Sequence, residues 1–228
     1  LVKVLTYNIR HACGMDGAVS LERICGVIRD TGAGLVALQE VDRYRFRSGL
    51  ANQAGRLGRE LKMRAVFGPT TGWWLFGTYG NAVLSRYPVR SVARHRLSGG
   101  GEPRGLIVCR VAVPDGEAYF LCTHLGLSAE ARRRQMARLL EVLKSLPGPV
   151  ILAGDFNCGP RAPALEPLLE RLTDTCTDPE LLTFPSFRPA HRIDYVFTSP
   201  SLRGLACGTV DSQASDHLPY FAAIGPAE

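Results

Sequence analysis

Asp155 and Asn157 stand one residue apart where an apolar run over residues 149–153 stops at Gly154. Side chains alternate across a strand, so a carboxylate and an amide at this spacing point the same way from a strand end. Such a pair can grip a water, a metal or a phosphoryl oxygen. It can equally form an ordinary turn, because Asp and Asn both bond their own backbone. What separates the two readings is the rest of the chain. Asn8 closes the apolar run 2–7, Glu40 follows 35–38, Asn81 sits in 80–88, and His124 ends 118–123. Asp194 lies in the run 192–197, and Asp216 and His217 precede the last one, 218–224. Each is at or near the edge of a strand-like run, and such edges can converge on one rim of a sheet. Carboxylates, amides and two histidines, with no thiolate needed, suit a hard, oxygen-ligated cation and a phosphoryl group. Arg104, at the start of another run, is either a phosphate ligand or a surface arginine.

The elements that must position these residues follow from periodicity. Strands are expected over 2–7, 35–38, 63–67, 80–88, 89–95, 105–113, 118–123, 149–154, 192–197 and 218–224, with a Pro-Asp-Gly turn at 114–116. Ser20 can cap a helix to about Asp30, with Leu21, Ile24, Val27 and Ile28 on one face. A second helical pattern covers 48–62, weakened by Gly55 and Gly58. Ser128 caps the longest helix, whose Met136, Leu139, Leu140 and Leu143 form a core-facing stripe. Residues 160–171 read as a short helix or turn, and 172–190 as loop. Asp194, read as the middle of its strand, needs a partner, and Asp216 with His217 can supply one.

Length and composition narrow the class. A chain of 228 residues with no linker or repeat reads as one domain over 1–228. No apolar segment reaches the roughly 20 residues of a membrane helix. The seven cysteines are widely spaced and include no C-x-x-C pair, which argues against a disulfide framework or zinc ribbon. A reducing, cytoplasmic setting is the expectation, although the start at Leu1 leaves a trimmed leader and secretion open. The net charge of +6 favours a phosphate-bearing substrate without marking a nucleic-acid binder. Arg132, Arg133, Arg134 and Arg138 read as the solvated face of a helix. The run 72–77, holding Trp73 and Trp74, reads as core, with a ligand-facing or membrane-touching role as the alternative.

With these motifs in order, Y-N-I at 7–9, Q-E-V at 39–41, G-N-A-V-L-S-R at 80–86, T-H-L at 123–125, G-D-F-N at 154–157, R-I-D-Y at 192–195 and S-D-H-L-P at 215–219, the chain resembles the endonuclease/exonuclease/phosphatase superfamily. The resemblance covers essentially the whole chain. It implies a DNase I-like α/β/β/α sandwich of four layers, two mostly antiparallel sheets face to face with helices outside. It also implies Mg²⁺, with Mn²⁺ substituting, held by Glu40 with Asn8 beside it and Asp216 close by. Asp155 and Asn157 would orient or activate water and hold the phosphate, and Asp194 would pair with His217. His124 would stabilise phosphoryl oxygens or assist the leaving group, steadied by Asn81 where some nucleases carry a glutamate.

The first expectation is a monomeric phosphodiesterase acting on nucleic acid or a phospholipid-like head group. A phosphomonoesterase for a sugar, inositol or other small phosphorylated molecule is the alternative within the same chemistry. A catalytically silent binding module with the same fold is the alternative from another class. His124 stands where abasic-site enzymes of the superfamily carry tyrosine, and Tyr7-Asn8 where they carry W-N, so that subgroup is disfavoured.

Overall fold

A computed structural model of the chain describes residues 1–72 and 76–227, so Trp73 and Trp74 lie outside the described residues. The elements are β1 (Val2–Asn8), α1 (Leu21–Thr31), β2 (Leu35–Arg43), α2 (Gln53–Glu60), β3 (Arg64–Gly72), β4 (Thr78–Ser85), β5 (Val89–Leu97) and β6 (Arg104–Val113). They continue with β7 (Gly116–His124), α3 (Ala129–Lys144), β8 (Val150–Asp155), α4 (Glu166–Leu169), β9 (Thr173–Asp174), β10 (Asp194–Thr198), β11 (Leu202–Thr209) and β12 (Tyr220–Pro226). Two six-stranded sheets result, ordered β11-β12-β1-β2-β4-β3 and β5-β6-β7-β8-β10-β9. The pairs β1–β2 and β7–β8 are parallel and the other named pairings antiparallel.

Strand periodicity builds the layers. Leu5, Tyr7 and Leu38 face Ile24 and Ile28 of α1 and Leu57 of α2, while the alternate residues Val4 and Ala37 face inward. There they meet Phe120, Ile151 and Val196 from the second sheet. The other face of that sheet, through Leu121, Leu152 and Phe197, buries Met136, Leu139 and Leu143 of α3. Strands covered on both sides explain why the runs are apolar throughout instead of alternating. The order helix, sheet, sheet, helix is that of a DNase I-like α/β sandwich.

The caps form as the sequence indicates: Ser20 Oγ accepts from Arg23 N–H at 3.4 Å and Ser128 Oγ from Ala131 N–H at 3.1 Å. The basic face of α3 is paired on its own helix, Arg133 and Arg134 with Glu130 and Arg138 with Glu141. Three expectations are corrected. The helix expected over 48–62 is only α2, because Gly49 and Leu50 take left-handed backbone (φ 65° and 56°) and Asn52 caps a later start. Strand β11 has no counterpart among the strands expected from periodicity, and residues 173–174 form a short edge strand inside the expected loop. Asp194 is the first residue of β10, not its middle.

Candidate active site

Register alone sets three side chains in a row. His124 ends β7 opposite Asp155, which ends β8, and Asp194 opens β10 opposite Asp155 from the other side. Gly154 makes this close approach possible, since a Cβ there would lie 2.2 Å from the Thr123 carbonyl oxygen. Asn8, at the end of β1, bridges from the first sheet: its Nδ2 donates to Asp155 Oδ2 and to Glu40 Oε1, each at 3.1 Å.

Backbone irregularities aim two more groups. The β2–β4 ladder breaks between Leu38 and Val41, and Glu40 within that bulge has φ 58°. A bulge redirects a side chain, and a left-handed glutamate costs about 1 kcal/mol or more, which the surrounding contacts must offset. Asn157 is also left-handed, at φ 52°. Its N–H donates to Asp155 Oδ1 at 2.9 Å, and its Nδ2 donates to the Leu125 carbonyl at 2.9 Å while lying 3.0 Å from His124 Nε2.

Asp155 is the hub. With both oxygens already hydrogen-bonded, its Oδ2 also lies 3.4 Å from His124 Nε2 and 3.7 Å from His217 Nε2. The other side of the His217 ring is held at Nδ1, 2.9 Å from Asp194 Oδ2, and by the Phe184 ring at 4.8 Å. Thr183 Oγ1 accepts from the backbone of Ile193 and Asp194, and Ser215 Oγ donates to the Asn8 carbonyl at 2.7 Å.

The two histidines are driven in opposite directions. Burial pulls the His217 imidazole down, but the carboxylates of Asp194 and Asp155 overcome it and raise the pKa to about 10. His217 is thus an imidazolium at neutral pH, a donor at both nitrogens. For His124 burial dominates, Asp155 opposes it and Arg104 reinforces it, giving a pKa of about 3. That ring stays neutral.

Two sequence-selected residues are placed otherwise than expected. Asn81 does not reach His124; its Nδ2 donates to the Gly105 carbonyl at 3.0 Å, across the sheet interface. Arg104 is no open phosphate ligand: its side chain is 6% exposed, its Nη1 lying 2.9 Å from Glu102 Oε2 and 3.3 Å from His124 Nδ1. Asp216 faces Arg10 Nε at 3.7 Å. Sequence reasoning passed over Glu102, Thr183, Phe184 and Arg10. Glu102 lies in the bend before Pro103, outside β6, so strand spacing gave no signal for it.

Glu40 and Asp216 bring two carboxylates to this corner, where Asn8 turns its amide nitrogen toward Glu40 while its Oδ1 accepts from the Arg10 N–H at 3.1 Å. Burial pushes the Glu40 carboxyl up, the Asn8 hydrogen bond opposes this, and the charges of Asp216 and Asp155 add to the rise. No Lys or Arg ion-pairs with Glu40 among the described residues. Carboxylate oxygens are what a hard divalent cation takes, and the protein cation beside them is Arg10, 3.7 Å from Asp216. Ligand atoms of Asp155, Asp194 and His217 also lie within 4.8 Å of one another. The His217 ring stands between these two carboxylates, 2.9 Å from Asp194 Oδ2 and 3.7 Å from Asp155 Oδ2. Beside Asn157 opens a groove of about 1160 Å³, walled by residues including Arg161, Asp178, Phe184 and Arg192.

Comparison with known proteins identifies the family and the fold. The model of the Endonuclease/Exonuclease/phosphatase family matches residues 5–217. The uncharacterized protein YbhP of Escherichia coli strain K12 is 38% identical over 164 residues, 65% of this chain and 63% of that protein. The match therefore spans less than two thirds of that curated relative. A solved structure titled endonuclease/exonuclease/phosphatase from Beutenbergia cavernae is 28% identical, with a TM-score of 0.83 over 99% of this chain and 72% of its own. The mannosyl-6-phosphatase Bt3783 of Bacteroides thetaiotaomicron shares the fold, with a TM-score of 0.82 at 20% identity over 99% of this chain and 100% of its own.

Proposed function

The chain belongs to the endonuclease/exonuclease/phosphatase family, whose members hydrolyse phosphoester bonds, and we propose on that premise that it is a Mg²⁺-dependent phosphodiesterase using in-line attack of water. The observation that carries this reading is the convergence of one well-held acceptor, Asp155, with the donors His124, Asn157 and His217 on a single rim.

Asp155 takes the proton of the attacking water. It is the group suited to this, because the His217 imidazolium has no free lone pair while His124 is a weak base. Hydrogen bonds from Asn8 and from the Asn157 backbone fix the Asp155 carboxylate before substrate arrives. His124 and Asn157 donate to a non-bridging phosphoryl oxygen. His217, held by Asp194, donates to a second oxygen or protonates the leaving group. Asn8, Glu40 and Asp216 would hold Mg²⁺, with Mn²⁺ able to substitute, and the ion would neutralise charge on the phosphoryl group.

The groove beside Asn157 supports a diester over a monoester, since it offers room for a substituent beyond the phosphorus. The net charge of +6 favours an anionic ligand. A panel of single-stranded DNA, duplex DNA, RNA, sphingomyelin and phosphorylated inositols, each with and without Mg²⁺, tests the reading. Metal-dependent cleavage of a diester supports it. Inorganic phosphate released from monoesters with diesters untouched would replace it by a phosphomonoesterase.

A further inference from the structure

His124 is in contact with a nitrogen at each side of its ring. Arg104 Nη1 lies 3.3 Å from Nδ1, and Asn157 Nδ2 lies 3.0 Å from Nε2. Both neighbours are donors as they stand. A guanidinium can only donate, so the nitrogen it faces must carry the lone pair. A neutral imidazole has one acceptor nitrogen, and satisfying Arg104 at Nδ1 puts the ring proton on Nε2.

That choice has a consequence on the far side of the ring. With Nε2 protonated, the Asn157 amide cannot donate to it. One Asn157 N–H is used by the Leu125 carbonyl at 2.9 Å, which also fixes which end of the amide faces the ring. The second Asn157 N–H and the His124 Nε2–H are then neighbouring donors, with Asp155 Oδ2 3.4 Å from Nε2. The opposite tautomer would let Asn157 satisfy Nε2 but would set Nδ1–H against the guanidinium. Arg104 therefore decides which form exists. Its own position is held by Glu102 at 2.9 Å, and its Nε is buried without a partner, so the guanidinium is kept in a costly place.

We propose that Arg104 is a positioning residue that fixes His124 in the Nε2-protonated tautomer, so that the His124 ring and the Asn157 amide present paired donors to one phosphoryl oxygen. A carboxylate behind the ring would do the reverse, accepting from Nδ1 and favouring an imidazolium. The assignment of the tautomer is independent of the function proposed above; the role of the paired donors rests on it.

The experiment is a long-range ¹H–¹⁵N correlation spectrum of the full chain with ¹⁵N-labelled histidine at pH 7, the His124 ring being identified as the signal missing from His124→Gln. The wild type is expected to show a protonated Nε2 and an unprotonated Nδ1. Arg104→Met, which keeps the apolar stem and removes the donor, is expected to move population to the Nδ1-protonated form. Arg104→Lys, which keeps a donor, is expected to retain the wild-type pattern. In parallel, kcat of Arg104→Met on an aryl phosphodiester is expected to fall about tenfold or more with KM little changed, and Arg104→Lys to recover part of it. A wild-type ring protonated on Nδ1 or on both nitrogens, or an Arg104→Met spectrum with the tautomer unchanged, overturns the proposal. Should Arg104→Met fail to fold, the wild-type spectrum still tests the proposal, since a ring protonated on Nδ1 or on both nitrogens overturns it. A chain that cleaves no phosphoester yet shows the expected spectra would sink the functional reading and leave the tautomer assignment standing.

Discussion

His217 Nδ1 lies 2.9 Å from Asp194 Oδ2, and the remaining oxygen of that carboxylate, Oδ1, is buried without a partner. The pair sets both the orientation and the charge of the ring. Asp194→Asn keeps the shape and removes the charge, so the imidazolium loses its main support. On the proposed mechanism kcat should fall by roughly 100-fold with a smaller change in KM. Steady-state kinetics on an aryl phosphodiester measure this. A variant with wild-type kcat would remove the Asp194–His217 pair from the reaction.

Acid stability should carry a signature of His124. The unfolded chain protonates this histidine near 6.5, whereas the folded protein holds it neutral to about 3. The folded value is the lower one, so the unfolded state binds the extra proton between these pH values. Stability from this residue is complete above pH 6.5 and falls as the pH drops toward 3. At pH 4 the loss is on the order of 3 kcal/mol. Urea unfolding at pH 7 and pH 4 should therefore show a smaller acid loss for His124→Gln than for the wild type. Parallel behaviour of the two proteins would contradict it.

Gly154 is required by proximity alone. A methyl group there would meet the Thr123 carbonyl at 2.2 Å and push β7 from β8 where His124 and Asp155 sit, whereas Gly159 a few residues on has open space around its Cβ position. Gly154→Ala is expected to cost about 2 kcal/mol or more and to reduce kcat. Gly159→Ala should stay within about 0.5 kcal/mol of wild type. Thermal melts and kinetics of the two variants check this, and equal effects would rule out the crowding argument.

The rim was legible because its strands are covered on both faces. An apolar run such as Val150 to Ala153 that stops at Gly154-Asp155 announces both the buried strand and its polar end. The helix starts were legible through Ser20 and Ser128, whose hydroxyls cap as their types suggest. What stayed hidden depends on contacts between distant elements. Asn81 binds a backbone carbonyl, that of Gly105 in the other sheet, and backbone acceptors leave no mark on side-chain identity. The bulge that aims Glu40 is equally silent, because glutamate does not signal left-handed backbone. Strand β11 is a sheet edge with Gly204 and Gly208 in it and half-exposed residues on both sides, so no alternation betrays it.

The most direct test of the Asp155 mechanism is hydrolysis of bis(4-nitrophenyl) phosphate by the wild type and by Asp155→Ala, each with Mg²⁺ and after EDTA. Asp155 is the hub that the neighbouring strands and Asn8 all address. The wild type should turn over with Mg²⁺, stop in EDTA and recover with Mg²⁺ or Mn²⁺, and a folded Asp155→Ala should show no turnover. Turnover by the variant above about 10% of wild type, or activity indifferent to chelation, would contradict it.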